Sequence, residues 1–348
     1  MTLPLIYDLD LVDLKEHLAA WKQPAYRADQ IWQGLYCKLW NSPDQFTNLP
    51  VSLRTKLIHS FTFEALTPIA VQSSRDHQTI KTLLRAQDGQ SIEAVLMRYH
   101  KRQTLCISTQ VGCAMGCVFC ATGQMGFRRH LTSGEIVAQV LFYARQLADQ
   151  GLAVTNIVLM GMGEPFHNYQ NTLSAIDRLN DPQGYHFGAR RITLSTVGLV
   201  PAIHRFSLEK RQVNLAISLH AAEDALRSSM LPVNKKYSLQ EVLAASREYV
   251  AATGRRITFE WALIQGVNDT PEQAHRLARQ LRGLLCHVNV IPLNPTQGYT
   301  GRATTRASAE AFRQILAEAG IPCTIRLRRG IDIQAGCGQL ASELERRG

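Results

Sequence analysis

Cys106-Ile107-Ser108-Thr109-Gln110-Val111-Gly112-Cys113-Ala114-Met115-Gly116-Cys117-Val118-Phe119-Cys120 is the stretch on which the fold turns. Its first part belongs to a run, Thr104 to Thr109, that predicts a strand. A loop follows with cysteines spaced C-x3-C-x2-C. Thiolates are the usual ligands of iron–sulfur clusters. Three of them can hold three irons of a cubane and leave the fourth open to a substrate, whereas a cluster used only for electron transfer is normally fully ligated. A zinc site usually takes four ligands, and no second C-x2-C pair is present. Phe119, beside the third cysteine, serves either packing or the exclusion of water from the loop.

Outward from that loop the pattern is strand, loop, helix, repeated. Candidate strands run from Thr104 to Thr109, Thr155 to Met160, Arg191 to Thr196, Val213 to Leu219, Ile257 to Ile264 and His287 to Pro292. Thr132-Ser133-Gly134-Glu135 is a capping-box pattern opening the first helix between them, with Ile136, Val140, Ala144 and Leu147 as its apolar face. Six β/α units predict an α/β fold with a parallel sheet, either open or a partial barrel. Ligands of such sheets gather at the C-terminal strand ends. Gly161-Met162-Gly163-Glu164-Pro165 follows the second strand. Its small residues admit a ligand to the backbone, and Glu164 can accept from an ammonium group. A G-x-G-x-x-G dinucleotide fingerprint fails, because Phe166 holds the third glycine position.

Before residue 64 the periodicity is helical, through Leu11, Leu14, Leu18 and Trp21, then Ile31, Leu35 and Leu39, then Leu53 and Leu57 after Pro50. From 64 to about 98 short strands are expected, with Asp88-Gly89 as a hairpin turn. This divides the chain into an N-terminal accessory domain, 1–98, and a core, 99–348. The segment Pro295 to Ala307 is expected to be a flexible connection.

The chain has 348 residues, 45% hydrophobic and 19% charged, and a formal net charge of +10, which makes nucleic acid the first partner to consider. The N-terminus lacks a signal-peptide pattern and no long apolar run is present, so a cytoplasmic protein with no membrane span is expected. Eight cysteines then point to metal or redox work rather than to a disulfide framework. Cys106 lies on the first core strand, where burial would equally explain it. Cys337 lies between Gly336 and Gly338, which suggests an accessible thiol on a bendable loop. Cys37, Cys286 and Cys323 sit among apolar residues and are taken as structural.

The cysteine triplet resembles that of the radical S-adenosylmethionine (SAM) superfamily. Taken with Cys106 to Cys113, Phe119 to Gly123 and Cys337-Gly338-Gln339-Leu340, it resembles the RlmN/Cfr family of RNA methyltransferases, from about Tyr26 to Leu340. That resemblance implies a partial (β/α)6 radical-SAM barrel with a small N-terminal helical and β accessory domain used in RNA docking. It implies a 4Fe-4S cluster on Cys113, Cys117 and Cys120, with two SAM molecules consumed per turnover. Gly163, Glu164, Ser195, Ser218, Leu219, His220 and Asn294 would bind SAM. Cys337 would be methylated first and carry the carbon to adenine, Glu93 would accept a proton, and Cys106 would resolve the protein–RNA adduct by a disulfide with Cys337. Radical chemistry suits adenine C2, a carbon neither acidic nor nucleophilic.

The implied partners are ribosomal RNA and transfer RNA, a flavodoxin- or ferredoxin-like electron donor and a thiol reductant, acting on a monomer. Arg128, Arg129 and His130, with Arg326, Arg328 and Arg329, would bring positive charge to the mouth of the site, and Lys22, Arg27 and Lys38 to the N-terminal region. Three alternatives differ in outcome: methylation at adenine C2 as by RlmN, methylation at C8 as by Cfr, and a non-catalytic iron–sulfur regulator that binds RNA. No residue of the sequence separates C2 from C8 on physical grounds.

Overall fold

The computed structural model describes residues 3–296, 298–326 and Ile333. Helices α1 (Leu11–Ala20), α2 (Tyr26–Tyr36) and α3 (Val51–Ser60) form the N-terminal part and bury Leu14, Leu18, Ile31, Leu35, Leu53 and Leu57 as expected, whereas Leu11 is half-buried and Trp21 and Leu39, also half-buried, lie just past the ends of α1 and α2. The Asp10 carboxylate caps α1 by accepting from the Val12 and Asp13 amides. Strands β1 (Leu66–Ser73), β2 (Thr79–Ala86) and β3 (Ser91–Tyr99) follow as an antiparallel meander. Gly89, at φ 84°, makes the turn between β2 and β3, where a residue other than glycine would be strained.

The core begins at β4 (Arg102–Cys106). A two-stranded ribbon, β5 (Gln110–Gly112) and β6 (Phe127–His130), frames the cysteine loop and the short helix α4 (Ala121–Gln124). Then come α5 (Ser133–Ala148), β7 (Asn156–Leu159), α6 (Tyr169–Asn180), β8 (Ile192–Thr196), α7 (Val200–Leu208) and β9 (Asn214–Ser218). After them run α8 (Asp224–Met230), α9 (Leu239–Thr253), β10 (Ile257–Leu263), α10 (Pro271–Leu281), β11 (Cys286–Pro292), α11 (Arg306–Glu318) and β12 (Cys323–Ile325). The capping box of α5 forms as expected: Thr132 accepts from the Glu135 amide, and Glu135 from the Thr132 amide.

The main sheet has ten strands in the order β1-β2-β3-β4-β7-β8-β9-β10-β11-β12. From β4 to β12 every pairing is parallel, with helices in the crossovers. The six expected core strands are all present. β12 adds a further parallel strand that sequence reading passed over, because it is three residues long and only partly buried. β3 pairs antiparallel with β4, so the strands of the N-terminal region continue the core sheet across residue 98.

The N-terminal helices also share one hydrophobic core with the barrel helices, from Leu14 and Ile31 to Val140 and Ile176. Asp8 Oδ1 accepts from the Gly134 amide at 2.8 Å and so caps α5 from outside the barrel. Buried Arg178 donates to the carbonyls of Tyr7 and Asp8. The expected flexible connection at Pro295 to Ala307 is tethered instead. The Thr304 hydroxyl donates to Asp269 at 2.5 Å, the Gln265 amide donates to the Arg302 carbonyl, and α11 already starts at Arg306, capped by Thr305. Among the described residues no helix is long and apolar enough to cross a membrane.

Candidate active site

The cysteine loop leaves β5 at Gly112. This residue has φ 72°, and a Cβ there would lie 1.8 Å from the Gly126 carbonyl oxygen. Only glycine lets the ribbon close so tightly, and the Cys113 amide then donates to that same oxygen at 2.8 Å. Val118 donates to the Met230 carbonyl, and Gln124 Nε2 to the Val118 carbonyl at 2.8 Å, which fixes the far side of the loop. Cys113 and Cys117 are buried, and Cys120 is partly so. Phe119 meets the His220 ring edge-on at 5.0 Å and lies 6.5 Å from Tyr299. It thus joins the apolar wall made by Cys117, Ala221, Met230, Leu231, Ile264 and Leu293.

Burial pushes the Cys113 thiol up to about 12 and the Cys117 thiol upward as well, and the neighbouring cysteines and Glu164 add to both shifts. Three thiols crowded in a desolvated loop become thiolates only beside a strong cation. An iron–sulfur cluster is such a cation, so the donor set fits one. Among the described residues, no three His, Cys, Asp or Glu side chains already stand at metal-coordinating geometry.

The Gly161 to Pro165 segment emerges from β7 beside this loop. A Cβ at Gly161 would lie 2.5 Å from the Ile107 carbonyl oxygen, and one at Gly163, which has φ 103°, 2.6 Å from Gln110 Cβ. The small residues therefore pack the segment against the strand that leads to the cysteines. Glu164 is buried. Its carboxylate accepts from the amides of Phe166 at 3.0 Å and Val197 at 2.9 Å and interacts with the Thr196 side chain. It fastens the ends of β7 and β8 together, a role the sequence did not announce. Burial nonetheless holds its pKa up at about 7.

Ser195 is the penultimate residue of β8 and Ser218 the last of β9, with Leu219 and His220 just beyond. His220 has φ 61° and is buried. Its Nδ1 accepts from the Ala262 amide at 2.9 Å, so the proton of the neutral ring is on Nε2. Burial, helped by Arg227, lowers its pKa to about 3. Asn294 follows β11. These residues all lie at the C-terminal ends of parallel strands, as does Cys106, the last residue of β4. Glu93 lies on β3, buried, with Lys81 Nζ 2.9 Å from its carboxylate. Cys337, Arg328 and Arg329 lie outside the described residues.

Three groups were missed. Arg227, fully buried on α8, donates to the carbonyls of Val197, Ser218 and Leu219 and to the Asn234 side chain, and so clamps the ends of β8 and β9. Gln110 accepts from the Glu164 amide at 2.8 Å and reaches His130 and His167 with its own amide nitrogen. Asn268 holds the His220 carbonyl at 2.7 Å. The spacing of a polar residue in sequence carries no sign of which distant carbonyls it will meet. One expectation is also corrected. Arg129 does not stand ready for phosphate, because Asp88 and Glu135 hold it at 2.5 and 2.7 Å.

Residues 107–278 match the Radical SAM superfamily, and residues 6–62 match the Ribosomal RNA large subunit methyltransferase N-terminal domain. The chain is 49% identical to a probable dual-specificity RNA methyltransferase RlmN of Chloroflexus aurantiacus, over 97% of this chain and 92% of that one. It is 50% identical to the dual-specificity RNA methyltransferase RlmN 1 of Myxococcus xanthus, over 98% and 95%. A crystal structure of a radical SAM methyltransferase from Sphaerobacter thermophilus superposes with a TM-score of 0.94 at 52% identity, covering 97% of this chain and 98% of that one.

Proposed function

The chain belongs to the RlmN family of dual-specificity RNA methyltransferases, and on that footing we propose that it methylates C2 of adenine in large-subunit (23S) ribosomal RNA and in some transfer RNAs. The observation that carries this is the near-complete coverage of the relatives together with a cysteine loop at the C-terminal mouth of a radical SAM sheet. The same relatives favour C2 chemistry over the Cfr-type C8 alternative, and membership of a methyltransferase family sets aside a non-catalytic regulator.

Cys113, Cys117 and Cys120 hold the 4Fe-4S cluster in this proposal. When bound, the cluster supplies the electron that splits SAM into methionine and a 5′-deoxyadenosyl radical. Phe119 and the apolar wall behind it keep water from the loop. Gly163 brings the backbone close and Glu164 offers a carboxylate oxygen to the SAM ammonium. Ser195, Ser218, Leu219, His220 and Asn294 line the strand ends along which the rest of SAM lies. Cys337 carries the carbon, Glu93 accepts the proton from adenine, and the Cys106 thiolate attacks the Cys337 sulfur: the bond from that sulfur to the transferred carbon breaks, the carbon takes up a proton to become the methyl group, and the disulfide stays in the protein. A thiol reductant and a flavodoxin- or ferredoxin-like donor restore the enzyme. The N-terminal helices help to dock the RNA, and the protein works as a cytoplasmic monomer.

Mass spectrometry of nucleosides after incubation of the reconstituted enzyme with ribosomal and transfer RNA tests the proposal. C2-methyladenosine is the expected product. C8-methyladenosine, or no methylated adenosine from an enzyme that cleaves SAM, overturns it.

A further inference from the structure

Lys81 is completely buried, an unusual place for an ammonium, and Glu93 beside it is 1% exposed. The strand register explains where the pair looks. Lys81 is opposite Val95 on β3, Val95 is opposite Cys106 on β4, and Cys106 is opposite Val158 on β7. These residues form one row across the sheet and share one face. Glu93 is two residues from Val95 and so lies on that face too, diagonal to Lys81. The face carries its own small apolar cluster, Val95, Cys106, Val158, Met97 and Met160, apart from the main core. The backbone of Glu93 is also fixed, because the Ser108 hydroxyl donates to its carbonyl at 2.6 Å and accepts from the Met162 amide at 2.9 Å.

We propose that Lys81 is a positioning residue for the methyl transfer: its ammonium pairs with Glu93 and holds that carboxylate aimed along the sheet face that carries Cys106. The inference rests on the proposed role of Glu93 as the proton acceptor. The ammonium at 2.9 Å makes a charge-assisted contact with a carboxylate oxygen and fixes its direction. Among the described residues, the other charged or titratable groups on this face are Arg85, exposed on β2 and the second diagonal neighbour of Glu93, Tyr99 on β3, and Arg102 and Cys106 on β4. From α5, Tyr143 packs on the opposite face, its hydroxyl held by Thr82 and the Ala94 carbonyl. Arg85 sits in solvent, where its charge is screened, whereas Lys81 is buried in direct contact with Glu93.

The test compares Lys81→Met, Lys81→Arg, Glu93→Gln and the double variant Lys81→Met/Glu93→Gln in the reconstituted enzyme. The readouts are the rate of C2-methyladenosine formation and thermal unfolding. Lys81→Met should lose about 100-fold in methylation at neutral pH, the size of a general acid–base contribution. Lys81→Arg, which keeps a cation able to pair with Glu93, should recover most of the parental rate.

If Lys81→Met does not fold, the double variant, which removes both charges of the pair, is expected to recover the melting temperature, and Lys81→Arg then carries the rate comparison. A Lys81→Met enzyme with parental rate overturns the inference, and so does a loss that a folded Lys81→Arg enzyme shares in full. Glu93→Gln separates the two assignments. Full activity of that variant sinks the role of Glu93 itself, whereas its inactivity beside an unaffected Lys81→Met sinks the role of Lys81 alone.

Discussion

Glu164 keeps its carboxylate inside the protein among three donors, and burial still raises its pKa from the ordinary 4.5 to about 7. The consequence for stability has a definite sign. Between those two values the folded chain holds a proton that the unfolded chain has released. Stability contributed by this group is therefore greatest at or below pH 4.5 and is lost as the pH rises toward 7. A shift of this size is worth about 3 kcal/mol. Glu164→Gln should remove this falling component and make the slope of the stability–pH curve more positive across the window in the cofactor-free protein, measured by urea unfolding. An unchanged slope would mean that the proton sits elsewhere. His220 acts with the opposite sign: its pKa is lowered from the ordinary 6.5 to about 3, so between those values the unfolded chain holds a proton that the folded chain lacks, and stability contributed by this group rises with pH until about 6.5.

Gly112 decides whether the ribbon β5–β6 can form, and the ribbon decides where the cysteines stand. Gly112→Ala places a Cβ 1.8 Å from the Gly126 oxygen at a backbone angle that costs a side chain about 1–2 kcal/mol before the clash is counted. The expected outcome is a protein whose far-ultraviolet spectrum is retained and whose iron content after reconstitution falls several-fold. Normal iron loading would show that the loop reaches its geometry without the ribbon.

The same region shows how much was legible beforehand. The cysteine spacing, the Thr132 cap and the alternation of strands with helices are local patterns, and the structure realises them. Arg227, Gln110 and Asn268 act through carbonyls and side chains far away in sequence, which no local pattern encodes. Arg129 was misassigned in part for the same reason: its partner Asp88 is 41 residues away, although Glu135, which accepts from two of its nitrogens, is only six residues on. The tether of Pro295 to Ala307 depends on Asp269, equally remote.

At the scale of the molecule, the N-terminal helices and the barrel depend on each other. Asp8 caps α5, Arg178 is satisfied by the Tyr7 and Asp8 carbonyls, and one apolar core runs through both parts. Removing residues 1–63 would expose that core and leave buried Arg178 without those acceptors. A chain beginning at residue 64 should therefore show no cooperative thermal transition. A sharp transition close to the parent melting temperature would instead establish the strands and barrel as an independent unit.

The net charge of +10 belongs to the whole surface, and its effect on RNA depends on how many cations reach phosphate. Internal pairing removes some of them, as at Arg129 with Glu135, Arg211 with Asp177 and Arg178 with the N-terminal carbonyls. What remains draws RNA by releasing its condensed counterions, a term that carries no sequence information. If about six cations contact phosphate, the logarithm of the binding constant should fall against the logarithm of salt concentration with a slope of roughly −4 to −5. Filter binding or fluorescence anisotropy with a transfer RNA, over a salt series, measures it. Arg129→Gln should leave that slope unchanged, because its guanidinium is already committed to carboxylates, whereas substitution of a cation that touches RNA should reduce its magnitude by about one. A slope near zero would mean that shape and base contacts, not charge, bring the RNA to the site.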